Sequence, residues 1–109
     1  MSTDATSRRL EVLDLRIRLE RTAVEAYVRV CNTQQRPRAS GVRVLLLFLV
    51  GLVDSAEQPR VHRLAGLGDH VYRRTSDVLH GRLNALDLTD VVVEEWRTIV
   101  TDLEAVVSP

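Results

Sequence analysis

The first helix-length stretch carries two apolar stripes, and few small folds can satisfy both. Leu10, Leu13, Ile17, Val24, Val28 and Cys31 form one; Val12, Leu15, Leu19, Ala23, Ala26 and Val30 form the other. Side chains three and four apart share one side of an α-helix, so the spacing predicts a long helix ending near Asn32. A helix with two apolar faces must bury both. One face is expected inside its own bundle and the other, the Leu19 stripe, against a second copy. Arg16 and Glu20 fall between the stripes as a semi-buried i, i+4 pair. Glu11, Asp14, Arg18, Thr22, Glu25 and Arg29 make the wet face. Thr6 or Ser7 is the expected cap, which leaves residues 1–6 as a flexible N-terminus and 7–107 as a single helical domain.

The rest of the chain also reads as helix, punctuated by proline and glycine. A polar linker from Thr33 to Gly41 contains Pro37. Ser40 is the expected cap of a second helix, Val42 to about Ala56, which is apolar almost all round and therefore central. Gln58-Pro59 breaks the chain again. From Arg60 a third segment turns Leu64, Leu67, Val71, Val78 and Leu79 inward, with Gly66 and Gly68 expected to kink it or divide it into two short helices and Asp69 to recap it. Asn84 to Leu88 is a turn. Thr89 caps a fourth helix bearing Val92, Trp96, Ile99, Leu103 and Val106, widened by Val93 and Val100. The fold class that follows is all-α: an antiparallel four-helix bundle with a kinked third helix.

Composition narrows the function. Fifteen acidic and fifteen basic side chains give a formal net charge of zero, so any contact with nucleic acid must come from a local patch. Every base is arginine, a rigid fork of donors that keeps its proton. The single Cys31 leaves no internal disulfide and, with the histidine spacing, no zinc or di-iron pattern; no metal and no cofactor are expected, and a cytoplasmic setting is. The longest apolar run, Val44 to Val53, is half of what a membrane span needs, so no membrane partner is expected. No Gly-rich phosphate loop or nucleophile elbow is present.

One short string carries chemistry: Tyr72-Arg73-Arg74-Thr75-Ser76-Asp77-Val78-Leu79-His80-Gly81-Arg82. At about 100° per residue, Arg73 and His80 return to one face, with Asp77 between them. Arginine grips phosphate oxygens in a fork, and histidine exchanges a proton near neutral pH, so this face has the groups needed to bind and cleave a phosphodiester. The plainer alternative is a solvated face with an Arg73–Asp77 pair. Arg74 points towards the Val71/Val78 stripe and reads as a snorkelling or interface arginine.

An arginine followed within four to six residues by histidine, late in a helical bundle, resembles the signature of the HEPN superfamily. The string Ser76-Asp77-Val78-Leu79-His80-Gly81 is similar to that of its abortive-infection-type branches. The resemblance implies a metal-independent endoribonuclease of toxin or defence type, acting on RNA as a homodimer whose two motifs form one composite cleft. It implies His80 as general acid/base and Arg73 or Arg74 as the phosphate clamp. Tyr72, Ser76, Asp77 and Glu25 would support them, Glu25 by orienting an arginine, and a cognate antitoxin or partner protein would control the enzyme. The same shape also serves as a non-catalytic dimeric interaction module or as a helical subunit of a larger assembly.

Overall fold

The computed structural model describes residues 4–35, 37 and 41–108. The fold is all-α, a four-helix bundle: α1 (Ala5–Cys31), α2 (Val42–Leu47), α3 (Gln58–Leu79) and α4 (Asp90–Val107). α1 starts earlier than its sequence suggests. The carboxylate of Asp4, not Thr6 or Ser7, caps it by accepting the Ser7 N–H at 2.7 Å, and that contact holds the Asp4 carboxyl below its ordinary range. The expected cap at Ser40 lies outside the described residues; Gly41 precedes α2 without a side-chain cap.

α2 is shorter than expected. After Leu47 the chain tightens into a 3-10 turn, Phe48–Leu52, which seats the backbone of Gly51 on α1. A Cβ there would stand 3.3 Å from Val30 Cγ2. Tyr27 of α1 meets Phe48 edge to face, with ring centroids 5.4 Å apart.

α3 begins at Gln58 and includes Pro59 in its first turn, where a missing N–H leaves no bond unmade. It then runs through Gly66 and Gly68 as one continuous helix and not as two short ones. Gly68 is a packing residue: a Cβ on it would come within 2.6 Å of Leu103 Cδ1 and 3.1 Å of Leu46 Cδ1. The residue that looks like a weakness lets α3 approach α2 and α4 closely. Asp69 is consequently mid-helix and caps nothing.

Cross-helix pairs fix direction. Arg16 and Glu20 of α1 reach Ser76 and Tyr72 of α3 respectively, so α1 and α3 are antiparallel. Arg8 joins Glu11 on α1 to Asp90 at the start of α4, and Arg18 binds Glu104 near its end, so α1 and α4 run parallel. The reason is the short α2, which does not carry the chain back to the start of α1. α3 makes that return instead, leaving α4 to run alongside α1.

Only one stripe of α1 faces the core. Val12, Leu15, Leu19, Ala23 and Ala26 are buried among Leu46, Leu49, Val61, Val71, Val78, Val100 and Leu103. The other stripe faces outward: Leu10 is 62 % exposed, Leu13 40 % and Ile17 39 %. The Leu19 stripe, expected at the surface of the bundle, is therefore the core face of α1, and the Leu10 stripe is the surface one. Leu67, expected inside, is also exposed, and Thr22, expected on the wet face, is buried with its hydroxyl donating to the Arg18 carbonyl at 2.8 Å. Val93, Trp96, Val100, Leu103 and Val107 line the inner side of α4, whereas Val92, Ile99 and Val106, expected in the main stripe, are half-buried at its edges. Trp96→Ala is expected to remove about 3–5 kcal/mol of stability; a thermal melt unchanged by the substitution would contradict its place in the core.

Candidate functional site

The C-terminal end of α3 is shaped by Gly81. Its φ of +75° is left-handed backbone that glycine adopts without strain. The chain then folds back on the helix: Gly81 N–H donates to Val78 O at 3.2 Å and Arg82 N–H to Asp77 O at 2.8 Å. This double closure is a Schellman motif. It brings Arg82 over the last turn, where its guanidinium lies 3.5 Å from the Asp77 carboxylate.

His80 occupies the residue just past the last helical one and is exposed. Its Nδ1 stands 2.8 Å from the Ser76 carbonyl oxygen. A carbonyl only accepts, so Nδ1 carries the hydrogen, and in the neutral ring the lone pair belongs to Nε2. A histidine held by one nitrogen with the other free is equipped to take a proton from an incoming group.

The arginines are arranged differently from the simple helical-face expectation. Arg73 pairs with Asp69, one turn earlier, at 3.3 Å, and not with Asp77. Arg74 takes Asp77 instead, also at 3.3 Å. Asp77 thus sits between Arg74 and Arg82, and a shallow groove runs along His70, Tyr72, Arg73, Arg74, Ser76, Asp77 and Arg82. Glu25 is elsewhere. It pairs with Arg29 on its own helix at 2.9 Å and lines a groove beside the C-terminal end of α4, so it orients no arginine of the motif.

The acid–arginine pair that does reach the motif comes from Glu20 and Arg16. The Arg16 guanidinium lies 4.1 Å over the Tyr72 ring, donates to Ser76 Oγ and pairs with Glu20 at 3.3 Å. Tyr72 O–H in turn donates to Glu20 at 2.9 Å. These four residues join α1 to α3 beside His80. The position of Arg16 and Glu20 between the two stripes of α1 was the available signal in the sequence. Which helix they would meet depended on α3 packing antiparallel to α1.

Burial first, and the hydrogen bond to Glu20 second, raise the Tyr72 hydroxyl above its ordinary pKa. A phenol raised in the folded state is neutral there while the unfolded chain has begun to ionise. Its contribution to stability is thus complete below about pH 10 and fades as pH rises through the folded value. In an absorbance titration Tyr72→Phe should remove a late tyrosinate phase, and Glu20→Gln should shift that phase to lower pH. A Glu20→Gln curve superposed on wild type would refute the contact.

Among the described residues, no group of three or more His, Cys, Asp or Glu side chains is placed to hold a metal ion, and no helix is long and apolar enough to cross a membrane. No family model, curated protein or solved structure matches this chain.

Proposed function

We propose that this chain is a HEPN-like, metal-independent endoribonuclease of toxin or defence type, acting in the cytoplasm as a homodimer with a composite Arg/His site. The observation that carries this reading is the exposed His80 ring. Its Nδ1 is engaged by the Ser76 carbonyl, and it lies about two helical turns from Arg73 and Arg74, with Arg82 folded back onto Asp77. In the reaction, Nε2 of His80 removes the proton from a ribose 2′-hydroxyl. The freed oxygen attacks the adjacent phosphorus and closes a 2′,3′-cyclic phosphate. The 5′-oxygen leaves with a proton from an imidazolium. Arg73 and Arg74 hold the equatorial oxygens as negative charge grows on them.

Dimerisation gives the composite site its second half. Round the surface, the exposed Leu10/Leu13/Ile17 stripe adjoins Arg16 and Glu20, these adjoin Tyr72 and Ser76, and the next positions on α3 are Arg73 and His80. A two-fold axis through this band brings two His80 side chains towards one cleft and covers the apolar stripe. A cognate antitoxin covering the same band would silence the enzyme.

A non-catalytic module, or a subunit of a larger assembly, is the second reading. The specific observation in its favour is that Arg73 and Arg74 already hold carboxylates. Purified protein incubated with labelled RNA in EDTA separates the two. Cyclic-phosphate ends on RNA, with DNA spared, are expected for the nuclease; intact RNA leaves the interaction module.

A further inference from the structure

We propose that the outward face of α3 is a docking track for the backbone of a single-stranded polyanion, leading along the helix to His80. The proposal rests on the ribonuclease reading and deepens it by naming the surface that holds the substrate strand.

Charge is unevenly placed in this neutral chain. From Glu57 to Arg82 there are five arginines, at 60, 63, 73, 74 and 82, against three acids, Glu57, Asp69 and Asp77, and Glu57 pairs with Arg60 at 2.7 Å. Asp69 and Asp77 do not face an approaching strand. The side chains of Asp69 and Asp77 are 14 % and 29 % exposed, whereas those of Arg73 and Arg82 are each 70 % exposed. The carboxylates lie beneath the guanidiniums and brace them outward. Phosphate oxygens reaching this surface meet donors first, at separations well inside a Debye length of about 10 Å. Arg63 forms no ion pair among the described residues and stands free on the same side.

Geometry fits a strand as well as the charge does. All three histidines of the chain, His62, His70 and His80, are exposed on this face; at 1.5 Å per residue, His62 to His80 spans about 27 Å. Gly66 lies between the first two with no atom within 4 Å of where its Cβ would be, so nothing rises to block the path. Flat imidazoles at intervals give unpaired bases surfaces to stack on, which single strands offer and duplexes do not.

The test uses a 2′-O-methyl oligoribonucleotide, which lacks the attacking hydroxyl and so reports binding apart from cleavage. Fluorescence anisotropy should show binding with a log–log salt slope of about −3, as expected for Arg63, Arg73, Arg74 and Arg82 meeting single-strand phosphates at about 0.7 each, Arg60 being paired with the half-exposed Glu57. Arg63→Glu should weaken binding by about tenfold or more with the melting temperature unchanged. Arg43→Glu, exposed on α2, should bind like wild type. The track is overturned if wild type does not bind at low salt, if Arg43→Glu is as harmful as Arg63→Glu, or if an acidic peptide of equal charge displaces the oligonucleotide more strongly than a second oligonucleotide does. Binding through this face with natural RNA left intact retains the track and removes the nuclease. Cleavage at the wild-type rate by Arg63→Glu, with unchanged binding, removes the track and retains the nuclease.

Discussion

RNA cleavage is expected to fall by about 10²- to 10⁴-fold in His80→Ala, the usual contribution of a positioned acid–base group. The fold should survive, because the ring is exposed and its one internal contact is to the Ser76 carbonyl. That carbonyl keeps the helical bond from the His80 backbone N–H at 2.9 Å. Arg73→Lys should be nearly as harmful as His80→Ala, since an ammonium replaces a two-pronged grip with a point charge. Arg74→Lys should be milder because that side chain is less exposed to an incoming phosphate, 43 % against 70 % for Arg73. Rates are measured on labelled RNA in EDTA, with end analysis for cyclic phosphate. His80→Ala cleaving as fast as wild type would sink the assignment, and equal losses in the two lysine variants would reverse the roles given to Arg73 and Arg74.

Unfolding is the expected result of Leu19→Glu. Leu19 is fully buried and lies against the close approach of Gly68, Leu46 and Leu103. Losing the leucine alone costs about 2–5 kcal/mol, and a carboxylate with no partner adds a desolvation cost of several more, together comparable with the whole stability of a small domain. The contrasting variant is Ile17→Glu, two residues earlier on the half-exposed stripe. It should keep its circular dichroism spectrum and melting temperature while light scattering reports monomer where wild type is dimer. A folded, soluble Leu19→Glu protein would mean that the core has been assigned to the wrong face. A wild type that remains monomeric at high concentration would remove the homodimer.

The site was partly legible because its groups are close in sequence. Arg73, Arg74, Asp77 and His80 lie within two turns of one helix, and Gly81 marks its end through a backbone conformation that glycine supplies. Their actual pairings were less legible. Arg73 has a carboxylate four residues away on either side, Asp69 and Asp77, whereas Arg74 has only Asp77 within reach, and side-chain packing gave Asp69 to the first and Asp77 to the second. Glu25 looked like a supporting acid only because the register of α1 against α3 was unknown. That register puts Glu20 and Arg16 beside Tyr72 and Ser76, more than a turn from Glu25.

By itself the sequence determined the helical class, the Thr89 cap, the inward Trp96 and Leu103 of α4 and the placing of the motif on α3, because each depends on periodicity or on hydrogen bonds within a few residues. Tertiary structure alone decided which α1 stripe is core, how Gly68 is used within a continuous α3, and which acid serves which arginine. Two apolar stripes satisfy the same local pattern equally well. Only the positions of Leu46, Gly68 and Leu103 make burial of the Val12/Leu15/Leu19 face the better packed arrangement. The same packing turns Gly68 from an apparent helix breaker into the point of closest contact, since the absence of a side chain weakens a lone helix but admits a neighbouring one.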